Sequence, residues 1–198
     1  KGSVMKKIFI KFCLFCVFAF VIFFGGNALV HSTGDDKFCT LCHEWMDPMV
    51  QAYHGDKHGG TNRKGIKVKC VDCHLPHDSY ISYVFQKGLN GFNEVTHMMF
   101  NDADKMDWQA HRQNRTKFVY DSGCISCHER ILDVNSTNAN INDMHKIYAD
   151  FKDKKDKLSC VSCHKTVGHK NLGKILYEIK NPPVGNWDDE PKKDEPKK

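Results

Sequence analysis

Cys70-Val71-Asp72-Cys73-His74 and Cys160-Val161-Ser162-Cys163-His164 are two copies of one five-residue pattern, and Cys39-Thr40-Leu41-Cys42-His43 and Cys124-Ile125-Ser126-Cys127-His128 are two more. Together they take up eight of the ten cysteines in a chain of 198 residues. Two thiols three positions apart can each form a thioether to one of the two vinyl groups of a haem, and the histidine that follows can ligate its iron. Each copy is therefore a haem-attachment motif. A thioredoxin-like redox pair has no need of the histidine, a structural zinc site closes a set of four ligands, and a disulfide framework would not repeat four times with histidine in register. The chain is expected to carry four covalently bound haem c groups, on Cys39, Cys42, Cys70, Cys73, Cys124, Cys127, Cys160 and Cys163. His43, His74, His128 and His164 are the first iron ligands.

The stretches between motifs are rich in Lys, Asp, Asn and His and offer few apolar residues for a core. Haem faces can supply that core, so the expected fold is mainly α with much irregular structure, and the apoprotein should be largely unfolded. The formal charge of +5 is also misleading. Four ferric haems with ionised propionates contribute about −1 each, which brings the protein close to neutral. A nucleic-acid partner is not expected.

Outward from the motifs, residues 8–30 are apolar apart from Lys11 and Asn27. At 1.5 Å per residue, about 23 residues span a hydrocarbon core of roughly 30 Å. Lys1, Lys6, Lys7 and Lys11 come before or early in this stretch, so the positive-inside rule places the N-terminus in the cytoplasm and everything after Val30 outside. The expected location is a bacterial inner membrane, crossed once, with the haem domain in the periplasm. A cleaved signal peptide is the competing reading, because Gly26-Asn27-Ala28 resembles a small-residue cleavage site. Cys13 and Cys16 have no histidine after them and read as small apolar membrane residues.

The chain thus divides into an anchor (1–30), a tetrahaem domain (31–180) and a charged, disordered tail (181–198). Only eight residues separate Val30 from Cys39, which holds the first haem near the membrane surface. Helices are expected over 80–100, 104–119 and 142–155, with a loop over 135–142. Motif spacings of 31 and 36 residues within pairs, and 54 between them, suggest two dihaem halves.

An N-terminal anchor followed by four motifs resembles the NapC/NirT family, including its NrfH-like members, most closely around Cys70 to His77 and Cys160 to His169. The resemblance implies a quinol dehydrogenase that oxidises menaquinol in the membrane. Its electrons would pass to a periplasmic multihaem or molybdenum reductase of anaerobic respiration, of the nitrite, nitrate, hydroxylamine or N-oxide type. A place in an oligomeric complex is a further expectation. The resemblance also implies His58, His145 and His169 as second iron ligands, and imidazole suits low-spin iron. His97 and His111, on helices between motifs, are further candidates; His31 and His54 read as solvated, and His77 is open.

Family members often carry methionine two residues after the first motif's histidine, where this chain has Trp45. Met46 and Met49 come next, so either could ligate the first iron, or both could pack beside it. Lys87 matches a family lysine associated with quinol binding, and Glu94 lies two turns further along the same helix face as a candidate proton acceptor. A passive electron-transfer subunit without a quinol site is the main rival function. A haem-based sensor is a weaker one, since four closely tethered haems suit a wire better than a sensor.

Overall fold

The computed structural model describes residues 2–41, 46–100, 106–133 and 135–182. Cys42 and His43 of the first motif, and nearly all of the expected tail, lie outside the described residues. The described chain is helical, with one isolated bridge between Gly59 and Lys67 as its only β pairing.

Helix α1 (Gly2–Ser32) extends the expected apolar segment by a few residues at each end, and none of its residues is buried. At 1.5 Å per residue its 31 residues are about 46 Å long, enough to cross a bilayer with both ends protruding. Thr33, at its exit, folds its hydroxyl back onto the carbonyl of Leu29. Helix α2 (Asp36–Cys39) begins almost at once, capped by Asp35, whose carboxylate accepts from Phe38 N at 3.0 Å.

Helix α3 (Asp47–His54) leads through a turn-rich connection to α4 (Cys70–His74), which is the second motif itself. Helix α5 (Tyr80–Phe100) spans the residues expected, and Gly88 and Gly91 do not interrupt it. The helix expected over 104–119 is shorter. Asp107 caps α6 (Trp108–Gln113) by accepting from Gln109 N and Ala110 N, and a 3-10 turn, Arg115–Lys117, follows. Helix α7 (Asp121–Cys127) carries the third motif. Helix α8 (Ala139–Phe151) starts three residues before the expected position, because the Asn138 side chain caps it on Asn140 N. The fourth motif forms α9 (Cys160–Cys163), and α10 (Leu172–Lys180) closes the described fold.

Among the described residues the buried apolar side chains are Met49, Ala52, Tyr53, Leu75, Val161, Leu172 and Leu176. Met49 and Ala52 of α3 meet Leu172 and Leu176 of α10, with Met46, Trp108 and Ile175 packed against them. So small a core fits a fold in which haem faces complete the interior.

Between the second and third motifs the backbones almost touch. A Cβ on Gly123 would lie 2.0 Å from the Asp72 carbonyl oxygen, and Tyr120 N donates to Cys73 O at 3.0 Å. Glycine is therefore required where α7 crosses α4.

Candidate haem sites and quinol site

The motifs are joined in chain order. The thiols of Cys39 and Cys70 share a hydrogen bond that holds Cys39 below and Cys70 above the ordinary thiol range. Cys124 and Cys160 form a second such pair with the same division. Burial, with charge from Asp72 and then Cys127, raises Cys73 to about 11, so the second and third motifs also face each other. First meets second, second meets third and third meets fourth. The two tight thiol contacts fall within the pairs expected from the spacing.

Three histidines outside the motifs each face a motif histidine. Ring centres are 6.2 Å apart for His74 and His169, 6.3 Å for His58 and His128, and 6.4 Å for His145 and His164. Metal to imidazole-nitrogen bonds are about 2.0 Å, and a ring nitrogen lies about 1.1 Å from its ring centre, so two imidazoles in line on one metal have centres about 6.2 Å apart. All three pairs fit one iron between them.

The surroundings fix which nitrogen is available. His74 Nδ1 donates to the Phe118 carbonyl at 2.7 Å, and His169 Nδ1 to the Met49 carbonyl at 3.0 Å. A carbonyl can only accept, so both Nδ1 atoms carry the proton and both Nε2 atoms are free to ligate. His58 Nδ1 lies 3.1 Å from the Asp56 carboxylate, which orients it in the same way. Burial lowers the pKa of His74 and of His169, whose neighbour His74 lowers it further. The neutral form is the one that binds metal. His145 Nδ1 is buried without a hydrogen-bond partner. No cluster of three or more His, Cys, Asp or Glu side chains fit for a metal ion occurs among the described residues.

The other candidates are placed differently. Met49 is buried in the α3–α10 core, and Met46 packs against that core from the start of α3. His97 is half-buried near the end of α5. His111 packs against Trp108 and Phe118, His31 stacks on Tyr83, and His54 lies 3.1 Å from the Asp36 carboxylate. His77 sits edge-on to Tyr83, 5.6 Å away, and its backbone N accepts support from the Ser122 hydroxyl oxygen by donating to it at 3.0 Å.

Lys87 reaches from α5 to the C-terminal end of α1. Its ammonium donates to the carbonyls of Val30 and Thr33, the second at 3.0 Å, and capping the last carbonyls of a helix with a cation is favourable. Burial lowers its pKa; the charge of Cys39 in the first motif opposes that shift, and Lys69 adds to it. Lys87 thus lies between the membrane helix and the first haem motif. Glu94 is exposed two turns further along α5.

Two supports have no signature in the motifs. Asp36 is buried one turn before Cys39 and holds Lys67 at 3.0 and 3.1 Å as well as His54. Asp121 ties the third motif to the fourth: its carboxylate accepts from the Tyr148 hydroxyl at 2.9 Å, the Ser159 hydroxyl at 2.7 Å and Cys160 N at 2.9 Å. An acid just before a Cys-x-x-Cys-His run was the only available signal for either.

The NapC/NirT cytochrome c family, N-terminal region, matches residues 2–174. Among curated proteins, the cytochrome c-type protein TorY of Escherichia coli O157:H7 is 32% identical over 170 residues, 79% of this chain and 44% of TorY. The cytochrome c-type protein NapC of Escherichia coli K12 is 29% identical over 160 residues, 76% of each chain. The tetraheme c-type cytochrome CymA of Shewanella oneidensis is 30% identical over 163 residues, 77% of this chain and 85% of CymA. The chain thus spans less than half the length of TorY and at least three quarters of NapC and CymA. No solved structure matches the chain significantly. Four haem-attachment motifs, paired histidines at the spacing of a shared iron and a match over most of its length lead to one conclusion: this chain belongs to the NapC/NirT cytochrome c family.

Proposed function

We propose that the chain is an inner-membrane quinol dehydrogenase subunit that oxidises menaquinol at the outer membrane surface and passes the electrons to a periplasmic reductase. The observation that carries this reading is the position of Lys87, hydrogen-bonded to the outer end of α1 and beside Cys39 of the first haem motif. When bound, each haem supplies reversible one-electron iron chemistry.

His74 and His169 would hold the second iron, His128 and His58 the third, and His164 and His145 the fourth. Ring spacing supports all three pairs, and the Nδ1 hydrogen bonds of His74 and His169, which leave their Nε2 atoms available, support the first. His43 would hold the first iron, with Met46, Met49 and His97 as candidate second ligands. Met46 is nearest to His43 in sequence, three residues on.

At the quinol site Lys87 uses two of its three N–H donors on Val30 of α1 and on Thr33 just beyond it. The third is left for a quinol oxygen, and its positive charge lowers the cost of removing the hydroxyl proton. Glu94, two turns along the same face, is the candidate proton acceptor. The relatives named TorY, NapC and CymA are c-type cytochromes, which supports an electron-transfer role, and the joined order of the motifs supports passage away from the membrane.

The test is the rate at which haem-loaded protein in lipid nanodiscs is reduced by a menaquinol analogue. Lys87→Ala should slow that reduction at least tenfold, the loss of one good hydrogen bond to a charged group. Haem content and reduction by dithionite should be unchanged. An unmutated rate would place the quinol site elsewhere and favour a passive electron-transfer subunit.

A further inference from the structure

A helix on a soluble domain turns its apolar stripe inward and its polar residues to water. Helix α5 instead leaves its apolar stripe exposed, and none of its residues is buried. With 3.6 residues per turn, Ile81, Phe85, Phe92 and Met99 fall within a sector of about 40°. All four are two-thirds or more exposed. Tyr83, Lys87, Asn90 and Glu94 lie on the opposite side, where Tyr83 and Lys87 face the end of α1. An apolar stripe left exposed next to the apolar helix α1 suits contact with lipid.

The start of α5 is fixed at the level where α1 leaves the bilayer. The Tyr80 hydroxyl donates to the Asn27 side chain at 3.0 Å, Tyr83 stacks on His31, and Lys87 holds Val30 and Thr33. Counting about 20 residues of hydrocarbon span from Ile8 puts Asn27 at the outer boundary. Beside this junction a cavity is lined by His31, Lys67, Lys69 and His77 together with Asp72 and the two tyrosines. Lys69 and two tyrosines at that depth suit phosphate headgroups and the interfacial zone.

We propose that the outward face of α5, formed by Ile81, Phe85, Phe92 and Met99, is a second membrane contact that rests in the outer leaflet of the bilayer crossed by α1. This inference rests on α1 being a membrane anchor. The contact holds the haem domain against the lipid surface in one orientation, so that the Lys87 face opens where quinol arrives.

The test uses full-length, haem-loaded protein in nanodiscs of phosphatidylethanolamine and phosphatidylglycerol, with the photo-crosslinker p-benzoylphenylalanine placed singly at Phe85, Phe92 or Met99. The same group at Phe18 of α1 tests the anchor, and at Lys165 it gives the background of an exposed site. Lipid adducts at all three α5 positions should exceed the Lys165 level several-fold and approach that at Phe18. Adducts to a second copy of the chain, or lipid adducts at the Lys165 level while Phe18 reacts with lipid, would overturn the proposal. Failure at Phe18 as well would remove the anchor reading and this proposal with it.

Discussion

His169 lies beyond the fourth motif, yet its ring faces that of His74 in the second, with centres 6.2 Å apart and both Nδ1 protons given to backbone carbonyls. The chain's last motif thus folds back to complete the site of an earlier one. His169→Ala should leave four covalent haems by mass and convert one low-spin haem to high-spin, read from the visible and magnetic circular dichroism spectra. His58→Ala and His145→Ala should each do the same for one other haem. An unchanged low-spin count in any of the three would break the corresponding pair.

The ring planes differ among the pairs, and that difference is also measurable. His145 and His164 are inclined by only 19°, whereas His58 and His128 are inclined by 64°. Near-parallel imidazoles split the iron d orbitals rhombically, and near-perpendicular ones leave them almost degenerate. The oxidised protein should therefore show both an ordinary rhombic electron paramagnetic resonance signal and one with a large principal g value. His58→Ala should remove the second and spare the first. Four identical low-spin signals would contradict the account, which also expects the first haem to differ.

Gly123 is the tightest backbone contact between motifs, 2.0 Å from Asp72 O for an added Cβ. Gly123→Ala must push α7 away from α4, at a cost of about 3 kcal/mol. The expected outcome is a lower thermal midpoint and slower electron equilibration between haems, with all four haems attached. A wild-type midpoint would show that the two helices can separate freely.

The parts of this molecule that were legible in sequence are local. A haem motif is read from five consecutive residues, and α5 from a 21-residue run free of proline. Helix α6 was overestimated because Asp107 and Asn114 draw the backbone into caps at either end, and such competition is weak in a periodicity pattern. The histidine pairs join residues 70 to 95 positions apart in two of three cases, which no spacing rule supplies. Asp121 was missed for the same reason, since its partners lie 27 to 39 residues away.

Asp36 sets a pH dependence. Burial alone would raise its pKa, but the hydrogen bonds and charge of Lys67, with a smaller contribution from His54, outweigh it and hold the carboxyl below the usual range. A depressed folded pKa means that the unfolded chain takes up the proton first as pH falls. The stabilisation is complete above the unfolded value of about 3.9 and is lost as pH falls through the lower folded one. Lys67→Met should move that loss to higher pH and cost about 1 kcal/mol at neutral pH, a modest figure because Lys67 is partly exposed. Acid titration followed by the Soret band measures both; superimposable curves for the two proteins would sink the claim.

Direct electron transfer from quinol to this chain is what the proposed function requires. It is tested most directly by mixing the purified, haem-loaded protein in nanodiscs, with no other protein present, with a menaquinol analogue and following haem reduction by stopped flow. The account predicts rapid reduction of haem with release of protons to the medium. Haems that stay oxidised in quinol yet are reduced by dithionite would contradict it.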